Sequence, residues 1–157
     1  MSTTTYTGLA AGFAFTGVSG ATGLASLASG SQATLGPFDN TVATLGGPAY
    51  EYADLAIDLG TATTFGTTAP VFVSAATLFA EDGTNYEDAF AVSGQLYPLW
   101  SVRQASFPTR GVSASVIIVP SIPLRLILGK IVVLNNTGVA FPSTVTATLY
   151  GYYGQIG

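Results

Sequence analysis

From residue 48 onward, alternating apolar and polar residues mark a series of β-strands. In residues 50–59, Leu55, Ile57 and Leu59 alternate with small or polar residues. A period of two directs these three side chains to one face, which predicts a half-buried strand. The remaining strands are predicted at 71–79, 90–92, 96–102, 112–119, 124–128, 130–134 and 144–153.

Turn signals separate these segments, among them Asp82-Gly83 and Asn135–Gly138, and Gly129 is expected to mark a bulge. The sequence contains no amphipathic helix of useful length and no internal repeat. About seven or eight short strands joined by turns are typical of an antiparallel sandwich or barrel. We therefore predict an all-β domain, an antiparallel β-sandwich, at residues 48–157.

The first 47 residues have a different pattern. They are rich in Gly, Ala, Ser and Thr, and the glycines interrupt any regular period. Such a segment is expected to be extended on its own, because glycine is costly to order and short side chains bury little area. It nevertheless keeps large apolar residues that a solvated linker does not need. These residues are Tyr6, Leu9, Phe13, Phe15, Leu24, Leu27, Leu35 and Phe38.

We predict that residues 1–47 form an extended arm that becomes ordered by lying across a partner subunit, with those eight residues as its contacts. The alternative is that the same segment contributes a weak first pair of strands, with loops, to the domain that follows. In both interpretations the segment packs against protein. In the first this is a partner subunit, and in the second it is the following domain of the same chain.

Composition indicates a surface that other subunits cover. The chain has 157 residues, enough for one domain, and charged residues make up 8% of it, against about 25% in a typical soluble domain. Its mean hydropathy is +0.51. One explanation is a neutral surface coated with Thr and Ser; we prefer burial against partner subunits. A membrane is not expected as a partner, because prolines and charges interrupt the best apolar run, Val112–Leu134.

The few charges are unevenly distributed. All eight acidic residues lie between Asp39 and Asp88, and all four basic residues lie between Arg103 and Lys130. Acidic and basic strands are then neighbours within the fold, or the acidic edge of one copy meets the basic edge of the next. The net charge is −4 and there is no basic patch, so nucleic acid is not expected as a partner.

Composition also excludes most catalytic chemistry. Without His or Cys the chain cannot form a Ser-His-Asp triad, a Cys-His pair or a typical zinc site. The four acids within residues 81–88 could bind Ca²⁺ or act as an acid/base pair, but their spacing differs from that of an EF-hand loop. A solvated hairpin turn is the simpler interpretation. We therefore expect no enzyme activity, no metal and no cofactor.

Other polar and aromatic residues also have simple explanations. Asp54 and Asp58 are separated by about 13 Å along a strand, too far for a catalytic carboxylate pair, and are expected to be surface or interface charges. The triplet Asn135-Asn136-Thr137 matches a glycosylation motif but is better explained as a turn. Trp100 and the tyrosines of residues 150–153 could stack on sugars, although such aromatics belong more often to a core or an interface. Arg103, Arg110 and Arg125 are expected to pair with the acids.

Residues 50–153 resemble a group of small virion structural proteins of tailed bacteriophages. The residues that carry this resemblance are Asp54–Leu59, Leu78, Asp82–Glu87, Arg110, Pro123–Leu126, Asn135–Gly138 and the terminal β segment. The resemblance implies a jelly-roll-like β-sandwich on the virion, often a capsid decoration or cement protein, and such proteins are commonly trimers seated where capsomers meet. The arm lies outside it, and the group supplies no catalytic motif to transfer.

These observations predict a homo-oligomeric capsid decoration or cement protein, made in the host cytoplasm and bound to the major capsid protein on the virion surface. Apolar packing across many subunits would stabilise the shell. One alternative is a tail, neck or fibre component that binds carbohydrate through Trp100 and the tyrosines. Another is a hydrolase that uses Glu81 or Glu87, against which the low charge and the lack of His both count.

Overall fold

The structure is a computed structural model. It describes residues 13–14, 23–40, 50–66, 71–80, 84–86, 90–92, 95–97, 102–107, 113–125 and 128–152. All regular elements in this part of the chain are strands, which confirms the all-β class. The strands are β1 (Phe13–Ala14), β2 (Gln32–Asp39), β3 (Tyr52–Thr64), β4 (Val71–Phe79), β5 (Phe90–Val92), β6 (Gln95–Tyr97), β7 (Arg103–Phe107), β8 (Ser113–Pro123), β9 (Leu128–Asn136) and β10 (Thr146–Tyr152).

Eight of these strands form two four-stranded sheets. Sheet I has the order β1-β10-β3-β8 and sheet II the order β2-β9-β4-β7, while β5 and β6 form a separate hairpin. All the pairs are antiparallel. The two sheets pack face to face around one main core, which confirms the predicted β-sandwich.

The strand pairs are nested along the chain. β1 pairs with β10, β2 with β9, β3 with β8 and β4 with β7. Successive strands of the two sheets alternate between them except at β4 and β7, which are neighbours in sheet II. The chain is therefore arranged as one long hairpin folded over itself, and strands distant in sequence lie side by side.

The core lies between the sheets and is built from the inward positions of each strand. In β3 the predicted inward residues Leu55, Ile57 and Leu59 are fully buried. Along β4 every residue except Phe72 is buried, so this strand is covered on both faces. Thr77 of β4 donates a hydrogen bond of 3.3 Å across the sandwich to the Pro123 carbonyl of β8.

Sheet II carries a second, smaller apolar cluster on the face turned away from sheet I. Its buried members are Ala76, Leu78, Val132 and Leu134, and Phe72 and Val102 pack against them. β6 lies close to β4 in the same part of the molecule. The central strands of sheet II, β4 and β9, thus carry buried apolar residues on both faces, an asymmetry that bears on the role of sheet I.

Residues 23–40 correct the prediction of an arm ending at residue 47. Leu24, Leu27, Leu35 and Phe38 lie in the main core of their own chain, and β2 is a strand of sheet II. This stretch follows the alternative interpretation, in which it belongs to the same domain. Tyr6, Leu9 and Phe15 lie outside the described residues, and Phe13 is described as a backbone position in β1 opposite Leu149.

A buried asparagine attaches the first part of this stretch to the sandwich. The Asn135 side chain is fully buried, and its Nδ2 donates hydrogen bonds to the carbonyls of Leu27 (2.8 Å) and Val139 (2.9 Å). Its Oδ1 accepts hydrogen bonds from the backbone N–H (3.0 Å) and the hydroxyl (2.7 Å) of Thr137. Backbone bonds from Gly30 N to Asn135 O and from Asn135 N to Ser31 O continue the attachment.

A second buried asparagine holds the end of β2. Asn40 Nδ2 donates to the Tyr50 carbonyl and to the Arg125 carbonyl, both at 2.8 Å, and Asn40 Oδ1 accepts from Tyr50 N at 3.1 Å. Polar groups buried in this way must be paired to be tolerated, so each bond fixes a backbone segment. The two asparagines explain why a segment poor in large side chains is nevertheless ordered.

Several element boundaries differ from the prediction. β3 continues to Thr64, beyond the predicted end at Leu59, and β8 continues to Pro123. Asn135 and Asn136 end β9, so the bend begins at Thr137. The irregularity expected at Gly129 lies opposite it, because the extra residue is on β2 between Leu35 and Phe38. β7 was not predicted as a separate strand.

Candidate functional site

The outward face of sheet I carries the exposed large apolar residues of the described chain. They are Tyr52 (38% exposed), Val116 (46%), Ile118 (46%) and Tyr150 (37%). We call this surface the sheet I outer face. Its members are Tyr52, Asp54, Ala56 and Asp58 of β3, Val116 and Ile118 of β8, and Thr146, Thr148, Tyr150 and Tyr152 of β10.

The strand register places these side chains in rows across the sheet. Asp58 lies opposite Val116, and Ala56 lies opposite Ile118. On the other side of β3, Tyr150 lies opposite Asp54. Side chains opposite each other on antiparallel strands are about 5 Å apart, so they form one continuous surface. The surface is apolar along β8 and carries two carboxylates along β3.

One end of the face is a rigid aromatic corner. The rings of Tyr52 and Tyr152 are stacked, with centroids 6.0 Å apart and planes inclined by 26°. The Tyr152 hydroxyl and the Ser121 Oγ are hydrogen-bonded at 3.1 Å. Tyr152 is therefore largely buried and engaged, whereas Tyr150 is exposed. Trp100 and Tyr153 of the predicted sugar-stacking set lie outside the described residues.

Ser121 forms the junction between the two sheets at this corner. It has φ 57° and lies at a bulge, where β8 has one more residue than β3. The carboxylate of Asp54 accepts a hydrogen bond from Ser121 N at 2.9 Å, and Arg103 Nε of β7 donates to Ser121 O at 3.0 Å. Asp54 of β3 and Arg103 of β7 thus both bind the backbone of Ser121, although β3 and β7 belong to different sheets.

The two carboxylates of the sheet I outer face, Asp54 and Asp58, accept hydrogen bonds from backbone N–H groups. Asp58 Oδ1 accepts a hydrogen bond from Gly60 N at 2.8 Å, at a position where Gly60 has φ 74°. The Asp54 bond to Ser121 has the same character. Within the described ranges, no three His, Cys, Asp or Glu residues are grouped so as to hold a metal ion. Glu81, Asp82, Glu87, Asp88 and Arg110 fall outside those ranges.

Two cations lie over aromatic rings rather than on the sheet I outer face. Lys130 Nζ is 4.0 Å from the centroid of the Tyr86 ring. The Arg125 guanidinium carbon is 5.3 Å from the centroid of the Phe79 ring. Such cation–π contacts stabilise exposed positions by roughly 0.5–1 kcal/mol.

The described part of the chain contains no helix long and apolar enough to cross a membrane.

The glycosylation triplet is a structural element. Asn135 is fully buried and its amide nitrogen already donates two hydrogen bonds. A glycan on that nitrogen would break the contact with Leu27 and could not be accommodated in the core. The triplet was predicted to be a turn, but Asn135 and Asn136 are the last residues of β9 and the bend begins only at Thr137.

Sequence reasoning did not identify Tyr52, Val116 and Ile118 as surface residues. The signal was present in Val116–Val119, four consecutive β-branched residues in a strand that otherwise alternates. Because successive side chains point to opposite faces, such a run places apolar groups on both. In this strand Val116 and Ile118 are the residues placed on the sheet I outer face.

No known protein family, curated protein or solved structure matches this chain.

Proposed function

We propose that this chain is a non-enzymatic structural protein that packs against other protein subunits through the sheet I outer face. The observation that carries the proposal is the asymmetry of the sandwich. Sheet II buries an apolar cluster on its outward face, whereas sheet I leaves Tyr52, Val116, Ile118 and Tyr150 exposed. Exposed apolar residues gathered on one face are typical of interaction sites.

The energetics suit an interface that is repeated many times. Burying the remaining apolar surface of each of these four side chains is worth roughly 1 kcal/mol, at about 25 cal/mol per Å². Losses of translational and side-chain freedom offset part of this gain for a single copy. Copies linked in one lattice share those losses, so weak contacts add up to a strong attachment.

The most specific form of the proposal is a capsid decoration or cement protein bound to the major capsid protein. Two independent features support it. One is the resemblance of residues 50–153 to virion proteins of tailed bacteriophages. The other is the nested order of the eight strands of sheets I and II, which is the order expected of a jelly roll, a fold common in viral capsid and lectin domains.

A second candidate is a tail, neck or fibre component that binds carbohydrate. The observation favouring it is the exposed ring of Tyr150 directly opposite the carboxylate of Asp54. An aromatic face beside a carboxylate is a common arrangement for holding a sugar ring. The two candidates differ in copy number, since a decoration protein occupies every lattice position of its type.

Quantitative mass spectrometry of purified particles from the source tests the proposal. Copies of this chain are counted against the major capsid protein. A lattice-scale ratio, such as one to one, is the result expected for a decoration protein. About a dozen copies per particle would favour the neck, tail or fibre, and absence from the particle would contradict the virion role.

A further inference from the structure

β8 is the exposed edge of sheet I. It spans Ser113–Pro123, eleven residues, and pairs with β3 along one side. None of the described strands pairs with its other side. Among the described residues, its backbone N–H and C=O groups on that side have no strand partner, along a strand much longer than average, which is the situation in which a sheet accepts a further strand.

The prolines and the bulge of β8 itself lie at one end of this edge, and a second register shift, between Asp58 and Thr63, has its extra residues on β3 and leaves β8 continuous from Ser113 to Val119. Pro120, the bulge at Ser121, Pro123 and the crossing Arg103 side chain all lie at the C-terminal part of the strand. Residues 113–119 contain no proline and no charge, and they include Val116 and Ile118, the most exposed large apolar residues described. Natural sheets protect free edges with charges, prolines or bulges, so an edge lacking them is expected to be covered in the working protein.

The other described edge strands match this one poorly. β1 has two residues and β7 has five, and β2 is interrupted by the register shift at Gly36-Pro37. A second β8 has the same length, the same apolar pattern and no charge. Around a two-fold axis near Ile117, Val116 of one copy lies opposite Ile118 of the other, so both apolar residues are used twice.

Electrostatics permit this arrangement. The closest acids of the sheet I outer face, Asp54 and Asp58, lie on β3, one strand inward from the edge. Across a β8–β8 pair the two β3 strands are separated by three strand spacings, about 14 Å. That distance exceeds the screening length of about 8 Å at physiological salt, so repulsion between the copies is weak.

We propose that two copies of this chain pair antiparallel through β8, forming one continuous eight-stranded sheet across the dimer. The inference goes beyond the structural role proposed above, because it identifies the self-association edge and requires no particle. It also predicts a two-fold dimer, whereas the resemblance to cement proteins implies a trimer. The two sheet I outer faces then lie side by side as one larger docking surface.

Single-cysteine variants test the pairing without background, because the chain has no cysteine of its own. Val116→Cys and Ile118→Cys are mixed and mildly oxidised, and disulfide-linked dimer is measured on a denaturing gel. Thr34→Cys, an exposed position on the edge strand β2, is the matched control. We expect at least about tenfold more linked dimer from the β8 variants, because opposite residues of paired strands have Cβ atoms about 5 Å apart.

Sedimentation of the unlinked protein supplies a second readout. The unmodified chain and Thr34→Lys should sediment with the mass of two chains, and Val116→Lys with the mass of one while keeping its β circular dichroism. A chain that is monomeric or trimeric, or crosslinking no greater than at Thr34→Cys, would overturn the inference. Because both assays use the isolated protein, failure here is distinguishable from absence of the chain in particles.

Discussion

At the residue scale, ordering depends on a few buried contacts that compensate for small side chains. Asn40 and Asn135 supply polar attachments, and glycines supply close approaches. Gly129 lies under the ring of Phe38, where an added Cβ would be 2.3 Å from the ring. Such contacts join residues far apart in sequence, so no local pattern reveals them. The sequence predicted a turn at Asn135 and a bulge at Gly129, and the structure uses both residues as packing sites.

Asn135→Ala should lower the free energy of unfolding by about 2–4 kcal/mol, because several backbone and hydroxyl groups lose their buried partner. The Leu27 carbonyl is the most consequential, since it ties residues 23–31 to β9. Urea unfolding followed by circular dichroism measures the change. The half-buried neighbour Asn136→Ala is the control and should cost less than about 1 kcal/mol. Equal costs for the two variants would contradict the attachment role.

Gly129→Ala should destabilise the protein by about 1–3 kcal/mol, because the new methyl group meets the ring of Phe38. In a Phe38→Leu background most of that cost should vanish, as the smaller side chain leaves room. Gly30 has φ +83°, and a Cβ added there would have nothing within 4 Å, so Gly30→Ala costs the same in both backgrounds. If Gly129→Ala lowers the free energy of unfolding equally in the unmodified and the Phe38→Leu backgrounds, the contact is disproved.

At the element scale, the sequence predicted the strands whose burial is regular and missed those whose burial is supplied by distant partners. β3, β4 and β10 follow apolar patterns and lie close to their predicted positions. β2 was predicted as part of an arm, because Gly36 and Pro37 interrupt its alternation and its ladder partner β9 lies far along the chain. The order of the strands in each sheet could not be predicted from the sequence, because every nested pair joins segments that are separated by long stretches of chain.

Deleting residues 2–47 should abolish cooperative unfolding. The deletion removes β1, β2 and the core residues Leu24, Leu27 and Leu35, which exposes a new edge of each sheet and opens the core. Thermal and urea unfolding, with size-exclusion chromatography, measure the result. A chain lacking residues 2–12, which keeps all the described strands, is the control and should unfold cooperatively. A truncated 48–157 chain with an unchanged midpoint would restore the arm interpretation.

At the scale of the whole molecule, the described part of the sandwich buries an apolar cluster on the outward face of sheet II and leaves apolar residues exposed on the outward face of sheet I. The low charge predicted a surface covered by other subunits, but it did not indicate where. Only the register of sheet I shows that Tyr52, Val116, Ile118 and Tyr150 share a face. Exposure is a tertiary property, and the candidate surface could therefore be recognised only after β3, β8 and β10 were aligned.

Tyrosine labelling in the assembled particle and in the dispersed protein tests the proposed docking surface most directly. Tyr52 and Tyr150 are exposed, Tyr50 and Tyr152 are buried, and the half-buried Tyr86 lies beside Lys130 of sheet II. Modification of each tyrosine is measured by peptide mass spectrometry. We predict that Tyr52 and Tyr150 lose reactivity several-fold on assembly while Tyr86 does not. Unchanged reactivity of Tyr52 and Tyr150 in the particle would contradict docking through the sheet I outer face.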